Sequence, residues 1–261
     1  MTDDEIEAYA AGLWAARTAR RTLEPDATEL RLGRIDDLAD AYAIGDAIVR
    51  RRVERGERPV GWKLGYTSPA MREQMGIDRP NFGRLTDAML VPDGGTLPEE
   101  LLLQPRIEPE IAIRLGRDVA TPRASADDVL DVVDEAYACL EVVDSVWDGY
   151  RFRIEHNTAD GSSAAFVVLG PPIPRGDLSS TAVELFRNDE PVASATGAAA
   201  SGHPLAGVAW LAATVAATGR HLRAGEVVIT GGLTAAVPIE PGDRVHATFD
   251  GDTVVSVRRV G

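Results

Sequence analysis

The stretch that decides the fold is QPRIEPEIAIRL, residues 104–115, which combines a buried-strand pattern with two carboxylates. Side chains alternate along a strand, so Glu108 and Glu110 lie on one face while the isoleucines lie on the other. Pro109 between them cannot donate a hydrogen bond to a neighbouring strand, which predicts a sheet edge or a bulge. Two carboxylates this close repel each other unless a cation or a proton lies between them.

A third carboxylate, Glu141, lies in ACLEVVDS (138–145), a run that is otherwise apolar and predicts a central strand. Three carboxylates favour a hard cation, Mg²⁺ or Mn²⁺, over zinc. The alternative is a solvated sheet face, which is the common reason for an E-x-E pair in an acidic protein. Glu141 is harder to explain in that way, because burying an unpaired charge is costly. The residues alone leave both interpretations open.

Short β-type runs joined by turn residues fill most of the chain after residue 60. The runs that predict strands are VGWKLGYT (60–67), RIEPEIAIRL (106–115), YACLEVVDS (137–145), AAFVVLG (164–170), VELFRNDEPVAS (183–194), GEVVITGGL (225–233) and DRVHATFDGDTVVSVRRV (243–260). Asn188-Asp189 and Asp250-Gly251 predict tight hairpin turns within two of them. Strands outnumber helices, so we predict an α+β fold around a mostly antiparallel or mixed sheet.

Helical periodicity dominates the first 55 residues. Apolar residues three or four positions apart predict helices over 3–23 and 35–56, and the segment 24–34 between them is interpreted as a loop. Three later helices are predicted from their capping residues: 68–76, 125–136 with Ser125 as N-cap, and 204–218 closed by Gly219. We therefore divide the chain into a helical N-terminal subdomain, residues 1–58, and a strand-rich domain, residues 59–261.

The composition excludes several classes of partner. Lys and Arg number 27 against 41 Asp and Glu, and the net charge of −14 opposes binding to a nucleic-acid backbone. The longest apolar runs fall far short of the ~20 residues that cross a bilayer, and the acidic start MTDDEIEAYA does not resemble a signal peptide. Cys139, the single cysteine, fits a reducing compartment and an inert core position. We expect a cytoplasmic protein without nucleic-acid or membrane partners.

Seven motifs follow one another in order from about Val60 to the end of the chain. They are GWKLGYTS (61–68), MGIDRPNFGRL (75–85), LQPRIEPEIA (103–112), LEVVDS (140–145), TADGSS (158–163), GHPL (202–205) and TGGLTAAV (230–237). In this order and spacing they resemble the 2-keto-4-pentenoate hydratase and 4-oxalocrotonate decarboxylase family of the fumarylacetoacetate-hydrolase-like superfamily. The resemblance implies a fumarylacetoacetate-hydrolase-like catalytic domain, a mixed β-sheet or β-roll core, preceded by the helical subdomain.

The resemblance also implies the composition of the site. A divalent cation, Mg²⁺ or Mn²⁺, binds Glu108, Glu110 and Glu141 and chelates the 2-oxo acid end of a small-molecule substrate. Catalytic roles are implied for Lys63, as an acid/base or substrate-orienting group, and for Asp78. Substrate-binding positions are Leu85, Asp160, Ser163 and Thr234. A cation close to Lys63 is expected to lower the pKa of its ammonium group.

Three further positions in these motifs bear on the site. His203 in GHPL either faces the pocket or caps the helix that follows it. Gly231-Gly232 is not followed by the Lys-Ser/Thr of a phosphate loop, so we interpret it as a close approach of the backbone to substrate. Gly161 in TADGSS stands where the family usually has Asn, which affects the loop that carries Ser162 and Ser163.

The implied activity is that of a lyase acting on a 2-oxo or 2-hydroxy dienoic acid through a dienolate held by the metal. TGGLTAAV resembles the decarboxylases and MGIDRPNFG the hydratases, and we narrowly favour a 4-oxalocrotonate-type decarboxylase. The alternatives are a 2-keto-4-pentenoate (2-hydroxypentadienoate) hydratase and a catalytically silent, metal-binding partner subunit. Hydrolysis of an acylpyruvate would require a His-Glu water activator, and no such motif is evident. We expect a homo-oligomer, with a complex with a sister hydratase or decarboxylase as an alternative.

Overall fold

The structure, a computed structural model, describes residues 1–69, 72–73 and 76–261. Its α-helices are α1 (Asp3–Thr18), α2 (Pro25–Leu32), α3 (Leu38–Glu54), α4 (Ala126–Leu130), α5 (Ile154–Ala159) and α6 (Pro204–Ala216). Its strands are β1 (Pro59–Gly65), β2 (Asn81–Thr86), β3 (Leu90–Pro92), β4 (Arg106–Leu115), β5 (Val133–Val143), β6 (Ala164–Ile173), β7 (Ala182–Arg187), β8 (Glu190–Thr196), β9 (Val227–Ile229), β10 (Val237–Pro238), β11 (Arg244–Phe249) and β12 (Thr253–Arg258). The predicted α+β class is confirmed.

The strands form two sheets. The larger has the order β2-β1-β9-β4-β5-β6-β3, with β10 added to β4, and it is mixed because β1 pairs with β9, and β3 with β6, in parallel. The smaller sheet, β12-β11-β7-β8, is antiparallel. Strand β12 of the smaller sheet packs on β5 and β6 of the larger one. The long pair β4–β5 therefore lies at the centre of the fold.

The pair β4–β5 has two chemically different faces, as the alternation in the sequence predicts. One face carries Ile107, Ile111 and Leu140, which lie in a large apolar core shared with Val255 of β12 and Leu211 of α6. Burial of such side chains stabilises a fold by roughly 1.5–3 kcal/mol each. The opposite face carries the carboxylates described below, so the apolar core fixes the strands that present them.

The N-terminal helices share a second apolar cluster with the strand-rich part of the chain. Tyr9 and Leu13 of α1 and Ile44 of α3 pack with the fully buried Trp147, which follows β5. The indole N–H of Trp147 donates to the carbonyl of His156 on α5 at 2.8 Å. The helices therefore bury their apolar faces against the segment that leads from β5 to β6, and the division at residue 58 stays a prediction.

Two predicted segments differ most from the structure. The loop predicted over 24–34 contains α2, which Pro25 starts at a first-turn position where its fixed φ is favourable; only Thr28 of this helix is buried, so apolar periodicity gave no signal. The helix predicted over 125–136 is only the five residues of α4, although Ser125 caps it as predicted. Its second half joins β5, because Val133 pairs with Leu115 of β4, and tertiary pairing overrides the local helical pattern.

The predicted turns agree with the structure. Asn188 and Asp189 have φ of 54° and 67° between β7 and β8, the left-handed geometry of a two-residue hairpin turn, and Gly219 with φ of 77° follows α6. The helix predicted over 68–76 includes residues 70, 71, 74 and 75, which lie outside the described part of the chain. No helix in the described part has both the length and the apolar character of a bilayer-spanning segment.

Candidate active site

The three predicted carboxylates lie together on one face of β4 and β5. Glu108 is directly opposite Glu141 in the antiparallel register, and Glu110 is opposite Cys139. One carboxylate oxygen of each glutamate lies within 4.8 Å of those of the other two. Glu110 and Glu141 are fully buried, and Glu108 is half-buried. The sequence spacing and the strand pairing thus produce one compact cluster of three acids, the carboxylate cluster.

The carboxylate cluster is poorly satisfied by the protein. Oε1 of Glu110 and both oxygens of Glu141 are buried and have no hydrogen bond from the described residues. Most buried carboxylates are paired or hydrogen-bonded, because an isolated buried charge is costly. An oxygen-only set of ligands with free lone pairs and excess negative charge suits a hard divalent cation such as Mg²⁺ or Mn²⁺. These residues therefore fit the metal that the sequence implied.

Burial and mutual repulsion raise the pKa values of Glu108 and Glu110. Burial, followed by the negative charge of Glu141, raises the pKa of Glu108 to about 7. The same two causes, with Glu108 as a further charge, raise the pKa of Glu110 well above its usual value. For the protein groups alone, a proton relieves the repulsion, whereas a bound cation would relieve it and leave the carboxylates ionised.

Lys63 of β1 reaches the carboxylate cluster. Its Nζ lies 3.2 Å from Oε2 of Glu141, an ion-pair distance without hydrogen-bond geometry, and donates to the carbonyl of Ser162 at 2.7 Å. Burial lowers the pKa of Lys63, but the charges of Glu141, Glu108 and Glu110 outweigh it, and the net pKa is raised. The expected lowering assumed a divalent cation beside the ammonium, and with the protein groups alone the direction is the reverse.

The Gly231-Gly232 backbone packs directly against the carboxylates. The Gly231 N–H donates to Oε2 of Glu110 at 2.7 Å, and a Cβ on Gly232 would lie 2.4 Å from Oε2 of Glu108. Gly231 has φ of 103°, which favours glycine, and a Cβ there would lie 2.0 Å from Oγ1 of Thr67. The close approach predicted for these glycines is therefore to the acids, and it orients Glu110.

Pro109 lies inside β4, and of the two predicted alternatives, a sheet edge or a bulge, the bulge is absent. The register of β4 and β5 runs unbroken through Pro109 and shifts only between Arg114 and Leu115. The Pro109 carbonyl accepts the N–H of Leu233 at 3.0 Å, so the proline nitrogen also faces the segment that follows β9. There β4 borders a loop, because β9 pairs with 112–114 and β10 with 106–107. The missing N–H is harmless, since no strand pairs there.

The loop of TADGSS has an unusual backbone. Gly161, Ser162 and Ser163 all have positive φ, of 63°, 58° and 56°. Glycine and asparagine both tolerate this left-handed geometry, so Gly161 and the usual Asn suit the same backbone conformation. Ser162 donates its hydroxyl to Asn81 and its carbonyl accepts from Lys63, whereas the Ser163 hydroxyl accepts from Asn157 Nδ2 at 2.9 Å. The two serines therefore have different roles in the geometry.

A cavity of about 570 Å³ opens beside the carboxylate cluster. Four residues identified from the sequence line it: Lys63, Glu108, Ser163 and Thr234. Its other lining residues include Tyr66, Arg106, Tyr150, Phe152 and Asn157, which the sequence analysis did not single out. Tyr66 and Arg106 stand inside recognised motifs and could have been found there. Tyr150 and Phe152 lie between β5 and α5, in a segment without a local signal of function.

Five residues with predicted site roles do not line the cavity: the fully buried Glu110 and Glu141 of the carboxylate cluster, and Asp78, Leu85 and Asp160. Asp78 has a side chain that is 72% exposed and pairs with Arg79 at 2.6 Å, so this geometry gives no support to its catalytic role. Leu85 is 1% exposed in an apolar cluster with Cys139 and cannot contact a ligand there. Asp160 lies behind the site: it pairs with Arg17 at 3.1 Å and supports the loop that carries Ser163.

Two other residues have structural roles. Nδ1 of His203 accepts the backbone N–H of Leu205 at 3.1 Å, so of the two alternatives the structure shows the helix cap. Cys139 is fully buried on the face of Glu110, and burial raises the pKa of its thiol, which keeps it protonated.

Comparisons with known proteins identify relatives of this chain. The family model described as fumarylacetoacetate (FAA) hydrolase C-terminal matches residues 41–258. A 2-keto-4-pentenoate hydratase of Paraburkholderia xenovorans (strain LB400) is 38% identical over 261 residues, which cover 99% of this chain and 95% of that protein. A 4-oxalocrotonate decarboxylase of Pseudomonas putida is 39% identical over 225 residues, 85% of each chain.

Two solved structures are similar to this chain in fold. The 4-oxalocrotonate decarboxylase from Pseudomonas putida G7, complexed with magnesium and adipate, superposes with a TM-score of 0.94 at 33% identity and covers 100% of this chain and 99% of that one. A fumarylpyruvate hydrolase from Pseudomonas aeruginosa in complex with Mn²⁺ and pyruvate has a TM-score of 0.63 at 19% identity, over 77% of this chain and 89% of that one. The second likeness supports the fold alone.

Proposed function

This chain belongs to the fumarylacetoacetate hydrolase family, and we propose that it is a divalent-metal-dependent lyase acting on a 2-oxo or 2-hydroxy dienoic acid. The observation that carries the proposal is the convergence of Glu108, Glu110 and Glu141 with the ammonium of Lys63 beside a cavity of about 570 Å³. Hydratases and decarboxylases among the relatives support the reaction class.

Glu108, Glu110 and Glu141 would hold Mg²⁺ or Mn²⁺. Their unsatisfied oxygens and the magnesium of the decarboxylase from Pseudomonas putida G7 support this assignment. When bound, such a cation supplies Lewis acidity toward the carboxylate and 2-oxo oxygens of a substrate. The Gly231 N–H holds Glu110 in one orientation, so part of the ligand set is fixed before a metal arrives.

Lys63 would hold the proton that the reaction moves. The Ser162 carbonyl and Glu141 fix its Nζ in place, and the lysine lines the cavity where a substrate carbon or oxygen would lie. A positioned ammonium can deliver a proton and recover it, which is general acid–base catalysis. Asn157 fixes the Ser163 hydroxyl, so that this group can orient the substrate.

Within this class we favour the decarboxylase. In that reaction the bond to a distal carboxylate breaks, CO₂ leaves, and the electron pair moves into the conjugated chain toward the 2-oxo group. Two observations support it: the resemblance of TGGLTAAV to the decarboxylases, and the adipate, a six-carbon dicarboxylate, in the structural relative. The hydratase is the second candidate, because a hydratase matches this chain over almost its whole length.

The two activities separate in one assay. The protein with Mg²⁺ is given 2-hydroxymuconate and, separately, 2-hydroxypenta-2,4-dienoate, while CO₂ release and loss of dienol absorbance are followed. We expect CO₂ from the first compound, abolished by a chelator. Consumption of the second compound alone would identify the hydratase. Turnover of neither would favour the silent partner subunit, against which the position of Lys63 beside the acids argues.

A further inference from the structure

We propose that Arg106 forms a carboxylate-binding subsite that selects a six-carbon 2-oxo dicarboxylate over a monocarboxylate of the same length. The inference rests on the proposed function, in which a divalent cation held by the carboxylate cluster would bind the 2-oxo acid end. Among the described residues, Arg106 and Lys63 are the two cationic residues that line the cavity, and Lys63 is engaged by Glu141 and Ser162. Arg106 has no assigned role in the proposed chemistry.

The strand places Arg106 next to the carboxylate cluster and on the same face. Arg106, Glu108 and Glu110 are alternate residues of β4, so their side chains project to one side. The Cα atoms of Arg106 and Glu108 are about 7 Å apart at the usual rise of a strand. The carboxyl carbons of an extended six-carbon dicarboxylate are about 6 Å apart at ordinary bond lengths. A ligand whose 2-oxo acid end is bound to a cation at Glu108 would therefore present its other end to Arg106.

The guanidinium of Arg106 is held in place and still free to bind. It lies 4.2 Å from the centre of the Tyr150 ring, a cation–π contact. The Tyr150 hydroxyl lies 2.9 Å from the Val143 carbonyl and 3.0 Å from that of Gln104, which fixes the ring. Among the described residues the guanidinium has neither a hydrogen bond nor an ion pair. Its N–H donors are available to a ligand in the cavity.

The chemistry of this end of the cavity suits a carboxylate. A guanidinium presents paired donors in a planar fork that matches a carboxylate, and the contact strengthens when water is excluded. Val143 and Phe152 contribute apolar lining next to Tyr150. A ligand without a distal carboxylate would leave the half-buried Arg106 without a carboxylate partner, so the arrangement discriminates by charge at one end of the molecule.

Arg106 is assigned to selectivity and not to rate acceleration. The departing carboxylate becomes neutral CO₂, so a cation beside it stabilises the bound substrate more than the transition state. Such a contact improves recognition of the correct acid without lowering the barrier to bond cleavage.

The test compares two unreactive ligands that differ only at the distal end. Isothermal titration calorimetry with saturating Mg²⁺ measures the Kd of 2-oxoadipate and of 2-oxohexanoate. We expect the wild-type protein to bind 2-oxoadipate about 10- to 100-fold more tightly, the scale of one charge-assisted contact. In Arg106→Gln the two affinities should become equal within about threefold, mainly through weaker binding of 2-oxoadipate.

Arg114 provides the matched control. It lies on the same strand and carries the same charge, but it pairs with Asp134 and Glu135 outside the cavity. Arg114→Gln should therefore keep the wild-type affinity ratio, which separates a local contact from the loss of one positive charge. The wild-type ratio tests the proposal even if Arg106→Gln does not fold.

The outcomes distinguish the inference from the proposed function. Equal affinities in the wild-type protein would overturn the subsite while leaving the metal-dependent 2-oxo acid site in place. Equal losses for both ligands in Arg106→Gln would show that Arg106 binds the end they share, which also overturns the proposal. Binding of neither ligand in the presence of Mg²⁺ would overturn the proposed function and the inference together.

Discussion

Two pairs of buried acids, Asp144 with Asp160 and Glu110 with Glu141, have opposite surroundings. The first pair is supplied with protein donors: Arg17 donates to Asp160 at 3.1 Å and to the carbonyl of Asp144 at 2.6 Å. Backbone N–H groups of residues 103 and 104 each donate to the Asp144 carboxylate at 2.8 Å. The second pair has fewer partners: the Gly231 N–H donates to Glu110, and the ammonium of Lys63 lies at ion-pair distance from Glu141.

This difference in hydrogen bonding distinguishes acids that stabilise the fold from acids whose free oxygens can bind a ligand. A protein can satisfy a buried carboxylate when the position serves stability, as it does for Asp144 and Asp160. Leaving three carboxylates together with free lone pairs is unfavourable to folding, and such local conflicts concentrate at functional sites. We therefore expect the two sets to respond in opposite ways to removal of a charge.

The largest effect is expected at the carboxylate cluster. Glu141→Gln removes a ligand and the counter-charge of Lys63, so metal-dependent turnover should fall by roughly 10³-fold or more. Its free energy of unfolding without added metal should fall little, because the repulsion with Glu108 and Glu110 is relieved. Turnover assays and urea denaturation measure the two quantities. Normal Mg²⁺-dependent activity in this variant would remove Glu141 from the site.

The next effect is expected at Asp160, where a substitution should lower stability and leave metal binding intact. Asp160→Asn leaves Arg17 without its partner, which should lower the free energy of unfolding by about 3 kcal/mol. The carboxylate cluster is untouched, so Mg²⁺ should still bind to the folded variant. Denaturation in urea and a Mg²⁺ titration below the transition measure both. An unchanged unfolding free energy would show that the Arg17–Asp160 pair does not stabilise the fold.

A smaller effect is expected when the carboxylate cluster loses the neighbouring ammonium group of Lys63. Lys63→Ala removes the proton-carrying group while all three carboxylates remain, so kcat should fall by roughly 10²-fold. Mg²⁺ binding should persist, because the three carboxylates remain and the positive charge that would repel a bound cation is removed. Steady-state kinetics at saturating Mg²⁺ test this. If kcat is unchanged, Lys63 has no part in proton transfer.

Strand alternation, a local rule, predicted the strands that carry the three acids, and the motif resemblance assigned those acids to one metal site. Glu108 and Glu110 two residues apart, and Glu141 in an apolar run, sufficed to place three acids in two strands. Pairing of those strands in the register that puts Glu108 opposite Glu141 needed the tertiary structure. The motif resemblance added Lys63, which reaches the acids from β1, with β9 between β1 and β4, and which no local pattern connects to them.

Other features could not be predicted for identifiable reasons. Asp78 and Leu85 were assigned by motif position, yet whether a motif residue faces a cavity depends on packing that the motif does not encode. The Arg17–Asp160 pair joins residues 143 positions apart, and neither residue has a local signal of pairing. Helix α2 lacks an apolar stripe because only Thr28 is buried, so its periodicity was invisible.

The most direct test of the account is a Mn²⁺ titration of the metal-free protein, followed by electron paramagnetic resonance and calorimetry. The wild-type protein should bind one Mn²⁺ per chain. Binding should be lost or weakened by roughly 10-fold or more in Glu108→Gln, Glu110→Gln and Glu141→Gln, and kept in Asp160→Asn. Tight binding in the three glutamine variants, or its loss in Asp160→Asn alone, would contradict the claim that the unsatisfied acids hold the metal.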